Sequence, residues 1–292
     1  TAVGALSFDA NSTGASNTAV GYRALSANTT AASNTAVGKD ALLSNTTGTA
    51  NTAVGLGALD ANTTASNNTA LGYAAMLSNT TGTSNVAVGY AALDANTTAD
   101  NNTAVGTSSG TALTTGALST FVGSNAGAAV TTSANNTAIG AYAFDAGTGA
   151  DNTAVGAGAL GGASNSAANN TAVGKDALNA NSTGTENTAV GKDALAANTT
   201  ASGVTAVGEA ALKANTTGAS NTALGEGALT ANTTADNNTA VGMGALVSNT
   251  TGDRSVAVGT SALATNTTAD GNTAFGYRSL YSNTTAEVNT AV

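Results

Sequence analysis

The sequence predicts an all-β protein, a parallel β-solenoid of 17 coils of about 17 residues each. Three observations carry this prediction. The pentad Asn-Thr-Ala-Val-Gly recurs with its glycine at Gly4, Gly21, Gly38, Gly55, Gly72, Gly89, Gly106, Gly123, Gly140, Gly156, Gly174, Gly191, Gly208, Gly225, Gly242, Gly259 and Gly276. Every spacing is 17 except one of 16 followed by one of 18, so the register is restored at once. A unit of this length is too short for helical repeats of about 33 to 47 residues or leucine-rich repeats of about 20 to 29. Finally, Thr, Asn, Val and Gly are all weak helix formers, whereas two strands of about five residues and two turns consume such a period.

The first strand reads Thr-Ala-Val, as at Thr18, Ala19 and Val20. Alternation puts Thr and Val on one face, predicted as the interior, with Ala outward. On that reading Val155→Asp unfolds coils locally. The Ala row is broken only by Phe121. A row of small residues lets another surface approach closely, so Phe121, with Tyr142, marks a candidate contact patch.

The glycine after Val forms a corner that accepts positive φ or close backbone approach. A second strand, Ala-Leu-x-Ala-Asn-Thr, follows, buried at Leu25, Leu42, Leu59, Met76, Leu93 and Phe144. Its next position varies (Asp60, Leu77, Asp94, Lys213, Tyr281) and therefore faces solvent. Asn occupies two corners, one after this strand and one, as at Asn17, Asn34 and Asn51, before the first. Asn tolerates left-handed angles and bonds its own turn, and stacked coils align these amides into ladders. The residue after the Thr-Thr pair alternates Gly14, Ala31, Gly48, Ala65, which makes a 34-residue super-repeat of two coil types.

Composition narrows the function. The 292 residues include 36 Gly but no Pro, Cys, His or Trp, and only 8% are charged. Without Cys or His there is no thiol nucleophile, imidazole base, Cys/His zinc site or disulfide framework. Catalytic residues, cofactors and metal sites are accordingly expected to be none. A net charge of -9 with scattered Lys and Arg makes nucleic acid a poor partner. No stretch supplies the ~20 apolar residues of a spanning helix. Opening at Thr1 inside the motif, the chain reads as one solenoid domain, 1–292, excerpted from a longer polypeptide.

The Asn-Thr-Ala-Val-Gly unit resembles the head repeat of YadA-like trimeric autotransporter adhesins, Asn-Ser-Val-Ala-Ile-Gly, with similar repeats in phage tail-fibre proteins. Asn85, Val86, Ala87, Val88 and Gly89 come closest, together with Ser255, Val256, Ala257, Val258 and Gly259. The resemblance implies a left-handed β-roll, commonly trimeric, displayed at a cell or virion surface and used in adhesion. The period of 17 is longer than the family's usual coil, and no neck, coiled-coil stalk or membrane anchor is present.

The expected function is an extracellular or cell-surface structural and adhesive fibre segment. Its partners are expected to be itself, as a trimer or an end-to-end filament, and a host or matrix receptor. Both ends stop in the same strand register, which favours end-to-end stacking. An alternative is a glycan-bearing fibril, with Asn-Thr-Thr or Asn-Ser-Thr sequons at Asn11, Asn28, Asn45, Asn62, Asn79, Asn96, Asn181, Asn198, Asn215, Asn232, Asn249, Asn266 and Asn283; turn chemistry alone also accounts for these Asn. A lesser alternative is ice binding through the aligned Thr29 and Thr30 rows, of which only one faces outward if the segment is extended.

Two further features stand out. From about Thr107 to Asn169 the corner Asn becomes Leu113, Val130, Gly147 and Ala163, and the buried Leu becomes Gly110 and Gly127, which reads as drift or a docking patch. Lys39-Asp40, Lys175-Asp176 and Lys192-Asp193 read as solvated surface charges.

Overall fold

The computed structural model describes residues 1–162 and 166–292. The chain divides into two compact units, Thr1–Thr148 and Gly149–Val292, and each is a parallel β-solenoid. In the first, β1 (Ala2–Val3), β2 (Thr18–Val20), β3 (Thr35–Val37), β4 (Thr52–Val54), β5 (Thr69–Leu71), β6 (Val86–Val88), β7 (Thr103–Val105), β8 (Thr120–Val122) and β9 (Thr137–Ile139) pair consecutively in parallel. The second holds β10 (Thr153–Val155), β11 (Thr171–Val173), β12 (Thr188–Val190), β13 (Thr205–Val207), β14 (Thr222–Leu224), β15 (Thr239–Val241), β16 (Val256–Val258), β17 (Thr273–Phe275) and β18 (Thr290–Ala291), paired likewise. Thr18 lies beside Thr35, Ala19 beside Ala36 and Val20 beside Val37. The described residues contain no helix.

The strand's two faces are the reverse of the sequence expectation. Ala19, Ala36, Ala53 and their equivalents are fully buried, while Thr and Val on either side are half-buried or exposed. The reason is volume. The interior is already filled by Leu25, Leu42, Leu59 and Met76 from the following segment, all fully buried. A narrow coil that takes Leu from one wall leaves room only for Ala on the other, and interiors pack to crystal-like density.

Leu is inside, as the sequence indicates, but its segment is not a strand. Arg23 (φ 55°) and Leu25 (φ 52°) sit in the left-handed region, as do Asp40 (φ 59°) and Leu42 (φ 51°). This alternation curls the chain in tight turns, so among the described residues the strands are the two- or three-residue segments at the Thr-Ala-Val positions. Backbone pairing between coils nevertheless continues through the turns: the Leu25 N–H donates to the Ala41 carbonyl and that of Leu42 to Ala58, each at 3.0 Å. Such pairing offsets left-handed angles that cost roughly 1–2 kcal/mol per non-glycine residue.

The corner after Val requires glycine. Gly4 has φ 129°, and a Cβ there would lie 2.6 Å from the Gly21 carbonyl oxygen, so side chains are barred by angle and by space. The Gly/Ala alternation has a related cause. A Cβ on Gly14 would overlap the Ala31 carbonyl and crowd the Asn11 amide, and Gly48 meets Ala65 in the same way. Each Gly coil thus receives the carbonyl of the Ala coil that follows it.

Phe121 is likewise a matter of volume. Its side chain is fully buried, and a Cβ on Gly110 would lie 2.8 Å from its ring Cδ2, while one on Gly127 would overlap the ring. The ring fills the space that Leu occupies elsewhere in its own coil and the preceding one. Large-for-small on one wall is matched by small-for-large on the other.

Candidate functional site

The sequon asparagines form an internal ladder. Asn62 Nδ2 donates to Asn45 Oδ1 at 2.9 Å and to the Ala65 carbonyl at 3.1 Å, which engages both of its amide hydrogens. Asn79 Nδ2 donates onward to Asn62 Oδ1 at 2.9 Å, and the same pattern recurs at Asn198, Asn232, Asn249 and Asn266. Asn28, Asn45, Asn62, Asn79, Asn96, Asn181, Asn198, Asn215, Asn232, Asn249 and Asn266 are all fully buried. The structure therefore corrects the glycan-acceptor reading at these eleven positions: a sugar on Nδ2 would displace a ladder donor and has no route to solvent. Asn11 and Asn283, at the two ends of the series, are half-buried.

A second ladder runs through the Asn before each strand. Asn17 Oδ1 accepts from the Asn34 backbone N–H at 2.8 Å, while Asn17 Nδ2 donates to the Ala31 carbonyl at 2.7 Å. Asn34 and Asn51 repeat this pair of bonds. Buried corner carbonyls and amides are thereby satisfied, as buried polar groups must be.

Phe121 and Tyr142 do not form a patch. Phe121 is interior for the packing reason above, so it presents nothing to a partner, while Tyr142 lies outside, 54% exposed. The substitutions around them rework the core: Leu113 and Val130 are fully buried at ladder positions, and the Phe144 ring occupies the space beside Gly147. Leu113 cannot donate to Asn96, and Asn96 Oδ1 is left buried without a partner. Ala163 lies outside the described residues.

Charges pair mainly between coils. Arg23 Nε donates to Asp40 Oδ1 at 2.8 Å, Lys192 lies 3.3 Å from Glu209, and Lys213 lies 3.1 Å from Asp193. The expected neighbours Lys39–Asp40 and Lys175–Asp176 are looser, at 3.7 and 3.4 Å. The exposed pair Lys192–Glu209 contributes at most about 1 kcal/mol, whereas Asp40 is buried beneath Arg23. Among the described residues no group of three His, Cys, Asp or Glu is placed to hold a metal ion, and no helix is long and apolar enough to cross a membrane.

What sequence reasoning missed is the outer surface itself. The strand face presents Thr and Val columns, bordered by the residues just after the glycine: Tyr22, Lys39, Leu56, Tyr73 and Tyr90. Tyr73 and Tyr90 stack with ring centroids 5.2 Å apart and planes at 7°, and Arg23 lies 5.3 Å from the Tyr22 ring centre. The variability of the position after the glycine was the available signal. Of the Thr29 and Thr30 rows only one faces fully outward, although their segment is bent and not a strand: Thr30 is exposed, whereas Thr29 is half-buried and its hydroxyl donates to the Thr46 carbonyl at 3.3 Å. No protein-family model matches the chain, and no curated protein matches it.

Proposed function

We propose that this chain is a structural and adhesive fibre segment displayed outside the cell, and not an enzyme. The observation that carries the reading is the consumption of polar groups by coil-to-coil ladders: backbone N–H groups, both corner Asn rows and the Thr29-type hydroxyls are spent on the neighbouring coil. What is left for function is a repetitive outer surface, which suits display and contact. The resemblance to YadA-like heads supports the same reading and carries with it a left-handed roll and self-association into trimers or filaments. The exposed row Tyr22, Leu56, Tyr73 and Tyr90 gives lateral association or a surface receptor an apolar, aromatic edge, the kind of residue enriched in interfaces. Seven Lys and Arg in 292 residues also give trypsin-like proteases few cleavage sites outside the cell. Electron microscopy of the full-length protein tests the proposal: slender fibres or rods that coat a surface are expected, and only compact particles without surface attachment would overturn it.

A further inference from the structure

The outer face of the first unit's strands sets Thr and Val in columns, coil upon coil. We propose that the face of β2–β9 binds ice. A surface holds a crystal of water only when its groups repeat in two dimensions, so that many bound waters occupy lattice positions together. Here the outward residues recur every second position along a strand, roughly 6.6 Å apart, and from coil to coil at roughly 4.8 Å. The register is one to one, Thr35 beside Thr52 beside Thr69 and Val37 beside Val54 beside Leu71.

Three properties favour ice over a protein partner. The strands β2–β9 contain no charged residue, so nothing pins hydration water in a competing orientation. The hydroxyls are unspent: Thr29, Thr46 and Thr63 donate theirs to next-coil carbonyls, whereas those of Thr35, Thr52 and Thr69 take part in no hydrogen bond within the described chain and remain open to water. The apolar column is open as well, with Val54 37% and Leu71 36% exposed.

The test uses the intact chain on a single ice crystal and in a recrystallisation assay. The folded wild type is expected to depress freezing below melting, to facet the crystal and to keep grains small. The combined variant Thr35→Lys, Thr52→Lys, Thr69→Lys is expected to lose all three effects with its circular dichroism unchanged, while Thr30→Lys, Thr47→Lys, Thr64→Lys keeps them. Should the lysine face variant misfold, Thr35→Val, Thr52→Val, Thr69→Val replaces it, since Val86 already occupies this column; a weakened effect is then expected. A folded wild type inert toward ice would overturn the proposal. Equal loss in the Thr30-row variant would also do so, as would face variants that alter only self-association in sedimentation.

Discussion

Phe121→Ala tests the complementary-volume account of the core. The side chain is fully buried, and its removal costs about 1.5–3 kcal/mol in transfer, rising to about 3–5 kcal/mol with the cavity. The upper part of that range is expected, because the positions facing the ring, Gly110 and Gly127, carry no side chain to move into the void. Adding Gly127→Leu to Phe121→Ala recreates the ordinary Ala/Leu coil. Gly127 has φ 62°, close to the 52° that Leu25 adopts, so the double variant should recover part of the loss: the left-handed non-glycine residue costs about 1–2 kcal/mol, and the space beside Gly110 stays unfilled. Gly127→Leu alone overpacks against the Phe121 ring and destabilises by at least about 1–3 kcal/mol. Each substitution alone therefore harms, and together they cancel in part, a coupling that a double-mutant cycle measures. Coils answer mainly to their neighbours, so opening is local; amide hydrogen exchange across residues 104–130, alongside thermal melting, reads it out. Additive losses in the double variant would refute the reasoning.

Further outcomes follow from the same geometry. Ala154→Asp should open its coil and admit protease, whereas Val155→Asp, on the half-exposed face, should be tolerated to within about 1 kcal/mol; limited proteolysis of the two variants checks the reversal of faces. Asn62→Ala removes two donors and the acceptor for Asn79, leaving buried partners unpaired at about 1–3 kcal/mol each; raised exchange in the flanking coils is the expected reading. Burial raises the Asp94 carboxyl above its ordinary 3.8, and its Oδ1 is buried without a partner. The folded state therefore holds this proton more tightly than the unfolded one. Its contribution is complete below pH 3.8 and is lost as pH rises through the raised value. Asp94→Asn should melt higher than wild type at pH 7, with the gap closing below pH 4; a gap that is constant with pH would contradict the burial argument.

The coil period, the parallel register, the glycine corners and both Asn ladders were legible in the sequence because each depends on what a residue does at its own position and stacks upon its copy 17 residues on. Gly4 and its equivalents accept an angle and a contact that other residues refuse, and the Asn amide both donates and accepts along a stack. The inward and outward faces of the strand were not legible, since Thr-Ala-Val satisfies period-2 alternation either way round. Packing decided it: Leu25 and its equivalents had already filled the interior, so the small residue of the strand turned in and Thr and Val turned out. The same fact put Phe121 inside and the sequon Asn out of reach. Local chemistry in the sequence determined the winding of the coil, while the volume enclosed by neighbouring walls, a property of no single segment, decided which side chains meet the solvent.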